Sequence, residues 1–215
     1  MDRHQILWKI EDCGLIGVIR LNDAAKLKGV IEALSAGGVT ALEITMTTPG
    51  ALDAIAQVSG EIGEGFLVGA GTVLDPETAR LAVLAGAQFV VSPVLNPEVI
   101  RMVHRYDRVA IPGAFTPTEI LTAWEHGADV VKVFPATALG PKYFRDVRGP
   151  LPQVKLSPTG GVSLDNAAEF IRAGACCLGV GSALVPKEAV AHSDWQQITD
   201  RARAFIAEIR KARAG

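Results

Sequence analysis

Short apolar runs rich in β-branched residues alternate with amphipathic segments along the whole chain. Eight of these runs have the length of a strand and are bounded by Gly, Pro or charged residues. This alternation is typical of repeated βα units around a parallel sheet, and eight strands close a (β/α)8 barrel. The predicted strands are LIGVIRL from Leu15, ALEITM from Ala41, FLVGAGTV from Phe66, QFVVSP from Gln88, VAIPGA from Val109, VVKVFP from Val130, VKLSPTGG from Val154 and CCLGVGSAL from Cys176. We therefore predict an α/β fold in which residues 1–215 form a single (β/α)8 TIM barrel domain.

Glycines predict where several helices end. Four helical segments finish with Gly followed by Gly or Ala just before a strand, and glycine is common in the left-handed position that ends a helix. The predicted helix-ending glycines are Gly37, Gly86, Gly127 and Gly174. They recur at about every second βα unit. An open doubly wound sheet would share this repeat, but it more often has fewer strands and a clearer nucleotide-binding loop.

Polar residues predict where helices begin. A residue that can cap a helix N-terminus follows a strand at loop distance in five places, often with proline next to it. The predicted caps are Asn22 or Asp23, Asp75, Asn96, Thr116 and Ser163. The segment before Leu15 is predicted to be an extra N-terminal helix that closes the bottom of the barrel.

The composition is that expected of one soluble domain. The chain of 215 residues is 49% hydrophobic, enough for one large core, and its net charge of -2 provides no field that would attract nucleic acid or an anionic membrane. The apolar stretches are shorter than the roughly 18 residues of a membrane helix, and the amino terminus lacks the uninterrupted apolar core of a signal peptide. We expect a cytoplasmic protein without nucleic-acid or membrane partners.

The sequence predicts neither a cofactor nor a metal site. Cys13, Cys176 and Cys177 are too few for a disulfide framework and are expected to be buried small apolar residues. The four histidines are scattered, without the spacing of a metal-binding motif. The segment GAGTV from Gly69 lacks the third glycine of a dinucleotide fingerprint, and its glycines are expected to make room near a ligand.

Glu43 is the first candidate for chemistry. Barrel enzymes build their active sites at the carboxyl ends of the strands. In ALEITM, alternation places Glu43 and Thr45 on the face opposite Leu42 and Ile44. If the apolar face meets the helices, Glu43 points into the barrel, where burial should raise its pKa and suit it to proton transfer; a structural ion pair is the alternative. The polar residues near predicted strand ends are Arg20, Glu43, Thr45, Thr72, Ser92, Lys132, Ser157, Thr159 and Ser182.

Lys132 is the second candidate. Alternation in DVVKVFPA places Lys132 and Phe134 on the face opposite the two valines that flank the lysine. Because an ammonium is costly to bury, the lysine either pairs with a carboxylate or becomes a nucleophilic amine, unless it reaches out of a barrel end. Lys155 is the rival, but it begins its strand, at the face that serves stability, and is expected to be a solvated rim lysine.

Glycine-bearing segments end the last two predicted strands. They contain Gly160 and Gly161 in SPTGGV, and Gly181 and Ser182 in GVGSAL. Barrel enzymes commonly bind phosphate at this place, where backbone NH groups exposed by glycine can hold a dianion, although tight turns also need glycine. Thr72 can offer its hydroxyl to a substrate carboxylate or to its own backbone.

Seven segments together resemble one family. They are EITMTTP, VGAGTVLDP, VVSPVLNP, IPGAFTPTE, VKVFPA, PTGGVSLDN and GVGSALV. In order and spacing, from about Leu15 to Val185, they resemble the 2-keto-3-deoxy-6-phosphogluconate (KDPG) and 4-hydroxy-2-oxoglutarate (KHG) aldolases. The resemblance implies a class I, metal-free aldolase, usually a homotrimer, that cleaves KDPG into pyruvate and glyceraldehyde 3-phosphate. KHG, which would give pyruvate and glyoxylate, is a second implied substrate.

The resemblance also implies roles for individual residues. Lys132 would form the Schiff base, and Glu43 would act as general acid and base. Thr72 would contact the pyruvyl carboxylate, while Phe134 and Pro93 would line the pocket. The residues implied to hold the phosphate are Gly160, Gly161, Gly181 and Ser182. Thr45 and Thr159 complete the predicted substrate-binding set because they lie at the ends of their strands.

One position departs from the family pattern. Many members have an arginine two residues after the strand-2 threonine, where this chain has Thr47. Another branch has an arginine at the end of strand 1, so we expect Arg20 to bind the substrate carboxylate from across the pocket. The substrate is therefore open between KDPG and its galactonate counterpart. A sugar-phosphate isomerase or epimerase, a metal-dependent aldolase and a non-catalytic phosphosugar-binding barrel are the other hypotheses.

Overall fold

A computed structural model describes residues 1–20, 24–61 and 65–214. Helices and strand segments alternate along these ranges. The helices are α1 (Arg3–Cys13), α2 (Leu27–Ala36), α3 (Ala51–Glu61), α4 (Pro76–Leu84), α5 (Pro97–Arg105), α6 (Pro117–Glu125), α7 (Gly140–Arg148), α8 (Leu164–Arg172), α9 (Lys187–Ala191) and α10 (Trp195–Ala214). The strands are β1 (Leu15–Ile19), β2 (Ala41–Thr45), β3 (Leu67–Gly71), β4 (Phe89–Val91), β5 (Val109–Ile111), β6 (Gly113–Ala114), β7 (Val131–Val133), β8 (Leu156–Pro158) and β9 (Leu178–Val180).

The strands form parallel ladders. One sheet has the order β5-β4-β3-β2-β1-β9, and a second has the order β6-β7-β8. Isolated parallel bridges join Leu156 to Ala175 and Thr159 to Gly179, between the last strand of each sheet. The fold is thus α/β with a curled parallel sheet covered by helices, which confirms the predicted class. Closure by eight strands stays a prediction at this point.

The strands are shorter than the apolar runs that predicted them. The fifth run contains two segments, β5 and β6, because Pro112 has no NH to donate to a ladder. Five polar residues predicted to end strands instead lie in the loops just beyond them, since the ladders stop one or two residues earlier. These residues are Arg20, Thr72, Ser92, Thr159 and Ser182.

Helix starts follow the prediction wherever the structure describes them. Asp75, Asn96, Thr116 and Ser163 are the N-cap residues of α4, α5, α6 and α8. The remaining predicted cap, Asn22 or Asp23, lies outside the described residues. The four observed caps all follow strands, so they also fix where the loops around the strand ends finish.

Three of the four predicted helix-ending glycines have the expected left-handed backbone. Gly86, Gly127 and Gly174 have φ values of 109°, 90° and 96°. The prediction for Gly37 was wrong, because its φ is -85° and Gly38 takes the left-handed position with φ 89°. Gly37 has a different reason to be glycine: a Cβ there would lie 2.3 Å from that of Ala202, so its absence lets α10 pack closely.

Two apolar layers surround the sheet. The larger lies between the strands and the outer helices, whereas the smaller fills the interior of the curled sheet. Ile6 and Ile10 of α1 are fully buried in the interior layer, so α1 covers one end of the sheet as predicted. None of the helices in the described part of the chain is long and apolar enough to span a bilayer.

Lys155 is tied to the helix that covers the sheet. Its ammonium lies 2.8 Å from the Glu11 carboxylate of α1. The lysine stands just before β8 and its side chain is 39% exposed, as expected of a solvated rim lysine, and α1 supplies the carboxylate that pairs with it. The cysteine expectation holds for the buried Cys177, while Cys13 and Cys176 are partly exposed.

Removing apolar volume from α1 should cost stability. We expect Ile6→Ala to lower the free energy of unfolding by about 2–5 kcal/mol, because a large-to-small change in a packed core leaves a cavity. Trp8→Ala, which changes a side chain that is 63% exposed, should change it by less than about 1 kcal/mol. Urea unfolding at one protein concentration measures both, and a loss below about 1 kcal/mol for Ile6→Ala would show that Ile6 of α1 is not part of the core.

Candidate active site

Glu43 and Lys132 lie at the middle of strands on different sheets, β2 and β7. Their exposed fractions are 2% and 6%, although both carry ionisable groups. The apolar residues that flank each of them belong to the layer between sheet and helices, so both side chains face the interior. The alternation of each strand thus predicted the correct direction for both residues.

The two side chains meet inside the curled sheet. Lys132 Nζ lies 3.9 Å from Glu43 Oε1 and 5.1 Å from the centre of the Phe134 ring. Burial raises the pKa of the Glu43 carboxyl above its usual range, and the charges of Lys132 and Arg20 oppose this shift. The structure therefore pairs an amine with a carboxyl group that holds a proton more readily than an exposed one.

Glycines make room for this pair. A Cβ on Gly71 would lie 2.8 Å from the Glu43 carboxyl carbon, and a Cβ on Gly69 would lie 2.4 Å from the Phe89 ring. The glycines of GAGTV were expected to make room near a ligand; in the structure Gly71 leaves space for the Glu43 carboxyl group and Gly69 for the Phe89 ring. Gly113, which lies beside Lys132 in the ladder, likewise allows close approach: a Cβ there would be 2.3 Å from the Pro93 carbonyl carbon.

A cavity of about 750 Å³ opens beside Arg20, just after the end of β1. It is lined by Arg20, whose charge acts on Glu43, and by Val18, which lies beside Glu43 in the β1–β2 ladder. The structure therefore brings Arg20 together with Gly181 and Ser182, all three predicted as substrate-binding residues. Further residues on the cavity are Lys26, Thr47, Thr48 and Lys187. The two lysines were missed because lysines in or next to amphipathic helices are usually solvated.

The glycine segment SPTGGV, which was also predicted to bind phosphate, does not line this cavity. Gly160 and Gly161 have φ values of 87° and 74°, and both lie against Thr137 after β7. Thr159 pairs with Gly179, where a Cβ would lie 2.3 Å from the threonine hydroxyl. This segment approaches β9, but its glycines pack on the loop after β7 rather than on the cavity.

The remaining candidates have distinct environments. Thr45 is fully buried, and its hydroxyl lies 2.9 Å from the hydroxyl of Thr47. Thr47, at the position where an arginine was expected, lines the cavity, so the two hydroxyl groups connect the buried Thr45 to the cavity wall. Thr72 has a φ of 58°, which is unusual for a β-branched residue. Pro93 is partly exposed beyond β4. The buried hydroxyl of Ser92 has no hydrogen-bond partner within the described ranges.

Metal-binding side chains do not come together in the described residues. No group of three or more His, Cys, Asp or Glu is placed to hold an ion there. His104 instead lies 2.9 Å from the Asp129 carboxylate, which also accepts a bond from the Ala110 NH. These residues stabilise the connection between β5, α5 and the start of β7.

Known proteins share this arrangement of elements and motifs. The family model described as KDPG and KHG aldolase matches residues 6–201. A 2-dehydro-3-deoxy-phosphogluconate aldolase of Pseudomonas aeruginosa is 38% identical over 194 residues, which cover 89% of this chain and 87% of that protein. A solved structure of native KDPGal has a TM-score of 0.86 at 32% identity, covering 94% and 96% of the two chains. KDPG aldolase from Legionella pneumophila, with pyruvate captured as a covalent carbinolamine, has the same score and identity, covering 93% and 97%.

The raised pKa of Glu43 should make stability depend on pH. A carboxyl whose pKa is higher in the folded state than the usual 4.5 stabilises the fold while protonated, and that contribution is lost as pH rises through the folded pKa. The stability difference between wild type and Glu43→Gln should thus favour wild type most at and below pH 4.5 and shrink as the pH rises through the folded-state pKa of Glu43.

Urea unfolding across this pH range measures the difference. Glu125→Gln, at an exposed helix position, provides the baseline. A difference for Glu43 that grows with pH would mean that its carboxylate, rather than its protonated form, stabilises the fold.

Proposed function

The chain belongs to the KDPG and KHG aldolase family, and we propose that it cleaves 2-keto-3-deoxy-6-phosphogluconate into pyruvate and glyceraldehyde 3-phosphate through a Schiff base on Lys132. It is therefore a carbon–carbon lyase. The observation that carries the residue assignment is the buried Lys132 amine within 3.9 Å of the Glu43 carboxyl. The family match gives no support to an isomerase or to a non-catalytic binding barrel.

The first half of the reaction forms the covalent bond. The neutral amine of Lys132 attacks the C2 ketone of the substrate, giving a carbinolamine that loses water to become an iminium ion. Glu43 is close enough to take the proton that the amine gives up and to return it to the departing hydroxyl. The Phe134 ring beside Nζ attracts the positive charge of the iminium.

The second half breaks the C3–C4 bond. Glu43, directly or through water, removes the proton of the C4 hydroxyl, and the bonding electrons move into the iminium to form an enamine. Glyceraldehyde 3-phosphate leaves as the aldehyde. The enamine takes a proton at C3 from Glu43 or its water, and hydrolysis of the new iminium frees pyruvate and the Lys132 amine. A carboxyl group with a raised pKa suits both proton removal and proton return.

The two ends of the substrate need different partners. We propose that Arg20 and the Thr72 hydroxyl bind the carboxylate next to C2, supported by the position of Arg20 beside Glu43. Phe134 and Pro93 would line the space between the two ends of the substrate, and Thr45, at the end of β2, would also contribute to the binding site. The residues proposed for the phosphate end are Thr159, Gly160, Gly161, Gly181 and Ser182. Of these, Gly181 and Ser182 lie on the same cavity as Arg20, which supports a continuous binding site.

The galactonate counterpart of the substrate is the second candidate. It differs at C4, the carbon whose hydroxyl Glu43 would deprotonate. Thr47 stands where many family members carry an arginine, and Arg20 lies on the same cavity wall. The positive charge that binds the substrate carboxylate would therefore come from the end of β1 instead of β2. The similarity to native KDPGal adds support for this alternative. KHG remains a further proposed substrate.

We also propose that the two sheets close into one (β/α)8 barrel spanning residues 1–215. Only Pro112 separates β5 from β6, so they would be halves of one strand, and the bridges between β8 and β9 would complete the ring. A homotrimer is proposed as well, because large apolar side chains exposed on α4 and α6 are typical of interaction surfaces. They include Leu81, Leu84, Leu121 and Trp124. The cytoplasmic location stays a prediction.

Loss of the Lys132 amine should abolish cleavage. We expect Lys132→Ala to lower pyruvate release from KDPG by about a thousandfold or more, because no other lysine of the described residues lies within ion-pair distance of Glu43. Lys155→Ala, which removes the rival lysine beside Glu11, should keep most of the activity. A coupled assay for pyruvate measures both. Substantial turnover by Lys132→Ala, or by Lys132→Arg, would exclude the Schiff base.

A further inference from the structure

Three cations share the cavity next to the proposed active site. Arg20 follows β1, Lys26 precedes α2, and Lys187 begins α9, so they come from separate parts of the chain. Hydroxyl groups and glycine backbone complete the wall, and no carboxylate is found among its residues in the described part of the protein. A cavity lined in this way favours an anionic ligand.

Lys26 and Lys187 differ in how they are held. The Lys26 ammonium donates hydrogen bonds to the carbonyl oxygens of Val190 and Ala191, at 3.0 and 2.6 Å. These carbonyls lie at the end of α9, so Lys26 fixes that helix against the cavity. Lys187, at the other end of α9, has no acidic partner within ion-pair distance among the residues that the structure describes. Its charge therefore remains available to a ligand.

The cavity has Arg20, just after the end of β1, and Lys187, at the start of α9, in its wall. Val18, which lies beside Glu43 in the β1–β2 ladder, is part of the same wall, as are Gly181 and Ser182 from the loop after β9. A keto acid joined to Lys132 through C2 would place its carboxylate near Arg20. Its phosphorylated end would then lie towards Gly181 and Ser182, where a lysine on the same cavity adds a positive charge to the backbone NH groups.

We propose that Lys187 determines specificity for phosphorylated substrates by binding the phosphate dianion together with Gly181 and Ser182. This inference rests on the proposed function and adds a residue to it. A lysine ammonium on a flexible stem suits this role, because it can follow a phosphate as a point charge without fixed geometry. Lys26 supports the site by holding α9 in place.

Selectivity between two substrates tests the proposal. The comparison uses KDPG and its unphosphorylated form, 2-keto-3-deoxygluconate, with pyruvate release as the readout. We expect Lys187→Ala to lower the ratio of the two kcat/KM values by about tenfold, mainly through a higher KM for KDPG, which corresponds to about 1.4 kcal/mol. Lys187→Arg should restore most of the ratio because it keeps the charge. Lys211→Ala, which removes an exposed charge at the far end of α10, should leave the ratio unchanged.

Binding of inorganic phosphate separates this proposal from the proposed function. Measured by calorimetry on the full chain, it requires no turnover and should weaken by about tenfold in Lys187→Ala. Wild type that binds phosphate through Lys187 but releases no pyruvate would contradict the proposed function alone. If Lys187→Ala left the ratio of the two kcat/KM values unchanged, the proposed role of Lys187 would be wrong. Equal losses of kcat/KM with both substrates would also contradict it, because they are expected when the residue only stabilises α9.

Discussion

The contact between a buried amine and a buried carboxyl group is the constraint on which the rest of the structure depends. Lys132 and Glu43 stand on strands of different sheets, so their 3.9 Å separation requires the two sheets to curl towards each other. Neither charge has enough water around it to be stable alone, and each partly offsets the cost of burying the other. Burial still prevails at Glu43, whose raised pKa makes the pair suited to moving a proton.

Much of the surrounding architecture can be understood as support for this contact. Gly71 leaves space for the Glu43 carboxyl, and Gly113 allows its strand to approach Pro93 beside Lys132. At the opposite end of the sheet, α1 fills the interior with apolar side chains, so the polar pair lies above a dry layer. Such a layer keeps the local dielectric low and strengthens the interaction of the pair with a charged intermediate.

The sequence was most informative where a local rule decides the outcome. Alternation predicted that Glu43 and Lys132 face inward, because side chains in a strand must point to opposite sides. Strand ends and the glycine at position 37 were predicted less well, since they depend on where ladders stop and on how closely α10 packs. Lys187 could not be found at all, because a lysine at the start of a short helix carries no local signal of the cavity beside it.

The covalent bond to Lys132 is the central claim, and trapping it is the most direct test. The protein would be incubated with pyruvate and sodium borohydride, digested, and mapped by mass spectrometry. The proposed mechanism predicts a reduced pyruvyl adduct on the peptide containing Lys132, absent without pyruvate, because borohydride reduces the iminium to a stable amine. An unmodified Lys132, or an adduct formed only at another lysine such as Lys155, would contradict it.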